Sequence, residues 1–351
     1  MTLFTVGPVQ MYPETLKTEG TQPPYFRTEE FSRIMKEIEK NFLSTIHAPE
    51  GAGFAALTAS GTGAMDAALL NTLTKDDKVL VINGGSFGKR FADICKNKLG
   101  LDTTTYDIGY LKPFSKEEFE KYEGKGFTAL LVNFCETGTG QLYDLDYLGE
   151  FCRSENIFFI ADAVSAYLAD PIDMKKQGID VLFTASQKAL ALSPGIAPVA
   201  LSPGAIERSE KGAAPYYFDF NDYLNNQKRG QTPFTPAVST LLALHERLQA
   251  ISEAGIDNVN ALHRKRAEYF REKAARLPVI IPDIPLSSCL TPLIFPENNA
   301  SRVYEALSSE HDIYLTPSGG DLKDLQLRVG HLGNLSFDDF DRLLGLLEDI
   351  L

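Results

Sequence analysis

The stretch IFFIADAVSAYLADPIDMKKQGIDVLFTASQKALALSPG, residues 157–195, decides the fold of this chain. It contains two short apolar runs, Ile157–Ile160 and Val181–Phe183, and runs rich in Ile, Val and Phe are typical of strands buried on both faces of a sheet. The first run leads to Asp162 and the second to Lys188. We therefore expect a carboxylate and an amine at the ends of two strands of one sheet, the edge where open α/β folds bind ligands.

Lys188 and Asp162 together suit one kind of cofactor. A lysine amine can form a Schiff base with an aldehyde, and a carboxylate can keep a pyridine nitrogen protonated. These are the two groups that a protein supplies to pyridoxal phosphate. The plainer interpretation is a solvated lysine and an aspartate that caps a helix, because both residue types are mostly exposed in proteins. Taken alone, the two residues leave both interpretations open.

Composition restricts the class of protein. A chain of 351 residues is long enough for two domains, and 44% hydrophobic with 23% charged residues is ordinary for a globular protein. The net charge of −13 argues against nucleic acid and against an anionic membrane surface, because both require basic patches. The sequence has no signal-peptide pattern, no membrane-spanning stretch and no spacing of histidines or cysteines typical of a metal site. We expect a cytoplasmic enzyme without a metal, whose four cysteines are buried free thiols.

The order of elements predicts an α/β fold. Strand-like and helix-like segments alternate through Val199, which predicts a mostly parallel, doubly wound sheet. The later helices and strands predict a separate, smaller α+β unit. We expect an extended N-terminal arm at residues 1–19, a large domain at 20–235 and a small domain at 236–351. Residues 216–229 show no clear periodicity and are interpreted as a surface connection.

Two glycine-containing turns each open a helix. The first, TASGTGAMD at Thr58–Asp66, presents N–H groups at a helix start, which suits a phosphate, although a turn without any ligand fits equally well. The second, GGSFG at Gly84–Gly88, formally matches the nucleophile elbow of serine hydrolases. A serine hydrolase using Ser86 is therefore the alternative from another class. It would require a histidine farther along the chain, and it gives Lys188 and Asp162 no role.

At SQKALALSPG the chain resembles the class V aminotransferases, the group of fold-type I pyridoxal phosphate enzymes that includes alanine–glyoxylate and 2-aminoethylphosphonate–pyruvate transaminases. Six further motifs keep the order of the family along nearly the whole chain: TASGTGAMDAAL, GGSFGKR, NFCETGTG, FIADAVSA, RGQTPFTPAV and LRVGHLG. The resemblance implies a pyridoxal-phosphate-dependent aminotransferase that works as a homodimer with shared active sites.

The resemblance also implies roles for single residues. Lys188 would carry the cofactor and move a proton, Asp162 would pair with the pyridinium nitrogen, and Arg328 would bind the substrate carboxylate beside Gly7. Further cofactor contacts would come from Thr62, Gly63, Ala64 and Gln187 at the phosphate, Phe87 and Val164 on the ring faces, Thr137 at the phenolic oxygen, and Thr232 and Thr235 of a second subunit.

The resemblance leaves the substrates open. It implies transfer of an amino group from a small amino acid (alanine, serine or aspartate) to a 2-oxo acid such as pyruvate or glyoxylate, with 2-aminoethylphosphonate as an alternative donor. Two positions depart from the family pattern. Ala64 lacks a hydrogen-bonding side chain, so only its backbone N–H can help, and Phe87 can stack but has no polar tip. Gln187 stands where the related cysteine desulfurases have a histidine, which argues against that activity.

Overall fold

A computed structural model gives the structure of the chain and describes residues 1–211 and 214–351. The strands in these residues are β1 (Thr2–Leu3), β2 (Gly53–Leu57), β3 (Lys78–Asn83), β4 (Asp102–Asp107), β5 (Ala129–Asn133), β6 (Cys135–Glu136), β7 (Gln141–Leu142), β8 (Phe158–Asp162), β9 (Val181–Phe183), β10 (Ala197–Leu201), β11 (Leu290–Ile294), β12 (Ile313–Tyr314), β13 (Thr316–Pro317) and β14 (Gln326–Gly330). The α-helices are α1 (Pro13–Glu19), α2 (Glu29–Thr45), α3 (Gly61–Thr72), α4 (Ser86–Asp93), α5 (Lys116–Glu120), α6 (Leu145–Glu155), α7 (Met174–Gln177), α8 (Pro203–Ser209), α9 (Phe220–Gln227), α10 (Val238–Ala254), α11 (Ile256–Ala274), α12 (Ala300–His311) and α13 (Phe337–Ile350). A π-helical segment (Ile94–Leu99) continues α4, and 3₁₀ turns lie at Tyr216–Phe218 and Gly320–Leu322.

The central sheet has seven strands in the order β2-β10-β9-β8-β5-β3-β4. Only β10 runs against its neighbours, and the other strands are parallel. Strands β5, β8, β9 and β10 are buried along their whole length, as expected where both faces of a parallel sheet are covered. The prediction of a mostly parallel, doubly wound sheet is confirmed.

Helix α2 shows how local sequence signals fix an element. The Thr28 side chain accepts a hydrogen bond from the N–H of Phe31, which satisfies one of the free donors of the first turn. The apolar residues that follow at helical spacing form one buried face against the sheet. They are Phe31, Met35, Ile38 and Phe42.

A second, three-stranded antiparallel sheet, β11-β14-β13, lies in the C-terminal part of the chain. It shares its own apolar core with α11, α12 and α13, and Phe4 of the N-terminal arm is part of that core. Helix α10 instead packs on α1 and α2 and contributes Leu241, Leu244 and Leu248 to the core of the large sheet. The division of the chain at residue 236 stays a prediction.

The N-terminal arm is not simply extended, and that prediction is wrong. Strand β1 pairs with β12, and residues 13–19 form helix α1. Phe4, Val6 and Val9 are buried. The arm becomes structured through contacts with residues more than 300 positions away, such as the hydrogen bond from Val6 N–H to Thr316 Oγ1. A local sequence pattern does not record contacts of this kind.

Residues 216–229 are likewise not a surface connection. They contain a 3₁₀ turn and helix α9, which buries Phe220, Tyr223 and Gln227. These three residues are spaced by three and four positions, so they do share one helical face. Because one of them is a glutamine and polar residues separate them, the period was obscured in the sequence. No helix in the described part of the chain is long and apolar enough to cross a membrane.

Candidate active site

Asp162 and Lys188 lie at the carboxyl-terminal edge of the central sheet. Asp162 is the last residue of β8, and Lys188 follows β9 by five positions. Between Lys188 and β10 the chain turns back on itself, because the hydroxyl of Ser186 donates to the carbonyl of Ser193 (2.7 Å) and accepts from the N–H of Ile196 (3.2 Å). The region around Asp162 and Lys188, whose pKa values the charges of Arg90, Glu136 and Arg328 also affect, is called the cleft below.

The Lys188 amine is buried against the N-terminal arm. Its Nζ donates to the carbonyl of Val6 at 2.8 Å, and only 9% of the residue is exposed. A Cβ added to Gly7 would lie 2.7 Å from Cδ of Lys188, so Gly7 lies directly against the lysine side chain. Burial lowers the pKa of Lys188, and the Asp162 carboxylate opposes that shift. The amine therefore loses its proton more readily than an ordinary lysine.

The Asp162 carboxylate is buried, and among the described residues it has only one hydrogen bond, which it accepts from the N–H of Val164 at 2.8 Å. Burial raises the pKa of Asp162 to about 7, while the Val164 N–H and the charge of Lys188 act in the opposite direction. A carboxylate in this environment is stabilised by any cation that comes into contact with it. A protonated ring nitrogen would be such a cation.

The predicted phosphate loop, Thr58–Asp66, lies at the start of α3 and is called the phosphate loop below. The Ser60 hydroxyl accepts the N–H of Gly63 (3.4 Å), and the Ser60 carbonyl accepts the N–H of Ala64 (3.1 Å). The Ala64 N–H is therefore already used within the helix, and a role for Ala64 at a phosphate stays a prediction. Thr62 keeps a side chain at the loop surface, and the buried Oε1 of Gln187 has no partner among the described residues.

Arg90 connects two of the predicted contact residues, Thr62 and Phe87, although the sequence motifs assigned it no role. Its Nη1 donates to Oγ1 of Thr62 at 2.7 Å, and its guanidinium lies 4.8 Å from the ring centre of Phe87. Arg90 follows Phe87 by three positions, so both lie on one face of α4. That spacing within GGSFGKR was the signal that could have identified it. The guanidinium also places a positive charge beside the phosphate loop.

Thr137 and Arg328 meet on the other side of the cleft. Arg328 donates from Nη1 to the carbonyl of Thr137 (3.1 Å) and from Nη2 to the carbonyl of Pro317 (2.8 Å). Its Nε is buried and has no partner among the described residues. The hydroxyl of Thr137 lies 2.7 Å from that of Ser165, another residue that the sequence did not single out. A cavity of about 440 Å³ opens beside Arg328, between Ser86, Tyr110, Gly138 and Ser318.

Thr232 and Thr235 are not brought to the other predicted residues. The Thr232 hydroxyl donates to the carbonyl of Phe234 (2.6 Å), and Arg27 holds the turn by donating to the carbonyls of Thr232 (2.9 Å) and Pro233 (3.3 Å). Thr235 is exposed. Among the described residues of the chain, the turn Thr232–Thr235 makes no hydrogen bond to Lys188 or to the phosphate loop.

The serine hydrolase alternative has no support in the structure. His331 lies 3.2 Å from the Thr291 hydroxyl and 3.1 Å from the Ser288 carbonyl, and His263 bonds to the carbonyl of Val259. Among the described residues, no histidine hydrogen-bonds to Ser86. The nucleophile-elbow pattern is thus a helix start without a general base.

The family model for aminotransferase class-V matches residues 9–292. The chain belongs to the class V aminotransferases. It is a pyridoxal-phosphate-dependent transaminase of fold type I, as the sequence motifs predicted.

Similar proteins cover nearly the whole length of this aminotransferase. It is 29% identical to the soluble hydrogenase 42 kDa subunit of Anabaena cylindrica, over 99% of this chain and 92% of that protein. It is 26% identical to the L-aspartate–glyoxylate aminotransferase of Paracoccus denitrificans, over 95% and 87%. The crystal structure of alanine–glyoxylate aminotransferase from Nostoc sp. superposes with a TM-score of 0.92 at 27% identity, over 99% of this chain and 94% of that one.

The residues of the aminotransferase cleft fit pyridoxal phosphate. Asp162 is a buried carboxylate without a bonded cation, and Lys188 is a buried amine within the same electrostatic environment. The buried Oε1 of Gln187 and Nε of Arg328 have no partners among the described residues, so both still have hydrogen-bonding capacity. Buried polar atoms without a hydrogen-bond partner are uncommon in protein interiors, and the atoms of a bound ligand can supply the missing partner.

Proposed function

We propose that this aminotransferase moves an amino group from a small amino acid, such as alanine, serine or aspartate, to pyruvate or glyoxylate. Lys188 and Asp162 act on the cofactor, and Arg328 holds the substrate carboxylate. One observation carries the proposal: a buried lysine of lowered pKa lies close enough to a buried carboxylate, Asp162, and to Arg328 for their charges to act on it, and the Nε of Arg328 has no partner among the described residues. The names of the Nostoc and Paracoccus relatives support the substrate class.

When bound, pyridoxal phosphate supplies a ring that withdraws electrons from the Cα of the substrate. Asp162 keeps the ring nitrogen protonated, because its carboxylate gains a cationic partner in an otherwise apolar environment. Lys188 moves the proton to and from Cα. The lowered pKa of Lys188 suits that step, since a general base works best when its pKa approaches the working pH.

Arg328 recognises the carboxylate through its planar fork. The Nη1 and Nη2 groups are oriented by the carbonyls of Thr137 and Pro317, so the guanidinium is held before any substrate arrives. A carboxylate can accept two parallel hydrogen bonds from such a fork, a geometry that lysine does not reproduce. The adjacent cavity of about 440 Å³ provides room for the rest of the substrate.

The working enzyme is a homodimer in this proposal. Among the described residues, the Thr232–Thr235 turn makes no hydrogen bond to the phosphate loop of its own chain, and Thr235 is exposed. We propose that it contributes to the phosphate site of a second subunit. The sequence resemblance supports this arrangement.

The first test is covalent labelling. The purified protein should be yellow, and borohydride should fix the cofactor to the peptide that contains Lys188. Labelling of another lysine, or a colourless protein after incubation with pyridoxal phosphate, would contradict the proposal.

The substrates require a separate screen. Alanine, serine, aspartate and 2-aminoethylphosphonate should be assayed as donors against pyruvate, glyoxylate and 2-oxoglutarate. A preference for 2-aminoethylphosphonate would establish the alternative donor, and Arg328 would then serve the oxo acid alone. Absence of transfer from all four donors would refute the substrate class but not the aminotransferase family.

A further inference from the structure

Glu136 is a buried acid in the cleft to which none of the proposed steps assigns a role. It belongs to the NFCETGTG motif, immediately before Thr137, and its exposed fraction is 0%. One carboxylate oxygen, Oε2, accepts from the N–H groups of Phe87 and Gly88, both at 3.2 Å, and from Nδ2 of Asn133 at 3.0 Å. The other oxygen accepts from the N–H of Gly138 at 3.1 Å. Glu136 thus joins the start of α4 to the loop that carries Thr137.

The hydrogen bonds show which form of Glu136 the site accommodates. All four partners are N–H donors, and a protonated carboxyl would need an acceptor for its own hydrogen. Burial raises the pKa of Glu136, and the N–H groups of Gly138 and Gly88 oppose that shift. Each of the four contacts favours the ionised form, so the hydrogen bonds around Glu136 are those that suit a carboxylate.

Close approach to Glu136 explains the second glycine of GGSFG. A Cβ added to Gly85 would lie 2.6 Å from Cδ of Glu136, and real side chains essentially never approach so closely. A Cβ added to Gly138 would lie 3.2 Å from Oε1. The two backbone segments fold around this one carboxylate, and glycine at position 85 leaves the space for it.

We propose that Glu136 is a positioning residue, which fixes the backbone of Phe87 relative to that of Thr137 and so sets the cofactor ring between them. The inference rests on the proposed roles of Phe87 and Thr137. The same clamp extends to Arg328, because the Thr137 carbonyl accepts from its Nη1. A single buried anion therefore holds the segments that carry three of the proposed contact residues.

The test uses Glu136→Gln, which keeps the size of the side chain. A glutamine side chain has one acceptor oxygen and one NH₂ group. Its NH₂ group must therefore face either the Gly138 N–H or the N–H groups at α4, where two donors oppose each other and no hydrogen bond can form. The dissociation constant for pyridoxal phosphate should rise roughly 10- to 100-fold, as expected for losing hydrogen bonds to a charged acceptor. The visible circular dichroism band of the bound cofactor should also change, because the ring is held differently. The absorbance of the lysine-bound cofactor should persist.

Asp180→Asn is the matched control. Asp180 is a half-buried carboxylate whose pKa is also raised, owing first to burial, and it accepts from the Phe159 N–H (2.9 Å) and the Ser202 hydroxyl (2.8 Å). It immediately precedes β9, at the opposite edge of the sheet from Lys188. Both variants should lower the melting temperature, but only Glu136→Gln should alter the dichroism and the cofactor affinity. Equal effects of the two variants on these readouts, or no effect of either, would overturn the proposal.

Two further variants keep the outcomes distinguishable. Gly85→Ala disturbs the clamp from the opposite side without removing the charge, and it should change the dichroism band in the same way even if Glu136→Gln does not fold. Phe87→Leu tests the proposed stacking itself. If Phe87→Leu weakens cofactor binding and Glu136→Gln and Gly85→Ala do not, the positioning role fails and the proposed site stands. If Phe87→Leu has no effect, the assignment of Phe87 fails.

Discussion

Replacing Gly7 with alanine tests how the N-terminal arm constrains Lys188. Gly7 has a φ of +145°, and an added Cβ would lie 2.7 Å from Cδ and 2.8 Å from Nζ of the lysine. Carbon atoms in contact are normally about 3.5–4.0 Å apart, so one side must move by roughly 0.8 Å. The arm is held on both sides of this point: the Val6 N–H donates to Oγ1 of Thr316, and the Gln10 carbonyl accepts from the N–H of Asn334 at 2.9 Å. We therefore expect the lysine to be displaced.

The size of the effect follows from the crowding. Overpacking a closed site costs about 1–3 kcal/mol, and a change of about 1.36 kcal/mol in the barrier changes a rate tenfold. If the displaced lysine bears that cost in the proton-transfer step, kcat falls roughly 5- to 150-fold. The lysine remains within reach of the cofactor, so the absorbance of the bound cofactor should stay close to that of the wild-type enzyme.

The assay compares kcat, cofactor absorbance and melting temperature, using the donor and acceptor that the wild-type enzyme prefers. Gly124→Ala is the control, because Gly124 also has a positive φ (+63°) but nothing within 4 Å of an added Cβ. It should lose stability through backbone strain and keep its kcat. A Gly7→Ala enzyme with wild-type kcat, or one no slower than Gly124→Ala, would refute the idea that the arm constrains Lys188.

Three further predictions concern the proposed site residues. Asp162→Asn should lower kcat about 10²- to 10³-fold. In the apo-protein, wild type should lose stability relative to Asp162→Asn from pH 4 to about 7, by roughly 4 kcal/mol in the free energy of unfolding, and no further above pH 7. The reason is that the Asp162 carboxyl ionises in the unfolded chain over that pH range, while it stays protonated in the folded protein. A difference in unfolding free energy between the two proteins that does not change with pH would show that Asp162 is not buried as described. Arg328→Lys should reduce kcat/KM for amino and oxo acid by roughly 2–5 kcal/mol with normal cofactor absorbance, and unchanged kinetics would remove Arg328 from the carboxylate site. Mixing inactive Lys188→Ala with Thr235→Ala protein should restore activity on subunit exchange, since one site of the mixed dimer is intact, and a monomer active at all dilutions would contradict the shared site.

Elements with strong local signals could be predicted closely from the sequence. The strand Val181–Phe183 has the ends of the apolar run that predicted it, because the run is uninterrupted. The sequence pattern also predicts a helix from Val238 to about Ala254, which the structure has as α10, and a strand at residues 279–281, which forms a single bridge between Ile280 and Ile294. Short apolar segments depend on the partner available in the folded chain, which periodicity does not report.

Site residues, too, could be found from the sequence only where a local feature marks them. Lys188 and Asp162 could be identified because each follows an apolar run closely along the chain. Arg27 and Glu136 could not, because their partners lie far away in sequence: Arg27 donates to a carbonyl 205 positions along the chain, and Glu136 accepts from N–H groups 48 and 49 positions earlier. Ala64 differs in another way: its N–H donates to the carbonyl of the helix-capping residue Ser60, a bond that the sequence alone does not show, and its role at the phosphate stays a prediction.

The N-terminal arm links strand β14, which carries the proposed carboxylate-binding residue Arg328, to Lys188. Strand β14 carries Arg328, and two residues farther on the N–H of Gly330 donates to the Phe4 carbonyl at 2.6 Å. Two residues beyond Phe4, the Val6 carbonyl accepts the amine of Lys188. The arm thus sets the position of the amine relative to strand β14. Crowding at Gly7 should therefore lower kcat through the displaced amine. Because the resemblance also places Gly7 beside the substrate carboxylate, a rise in KM for that substrate would report this second contact.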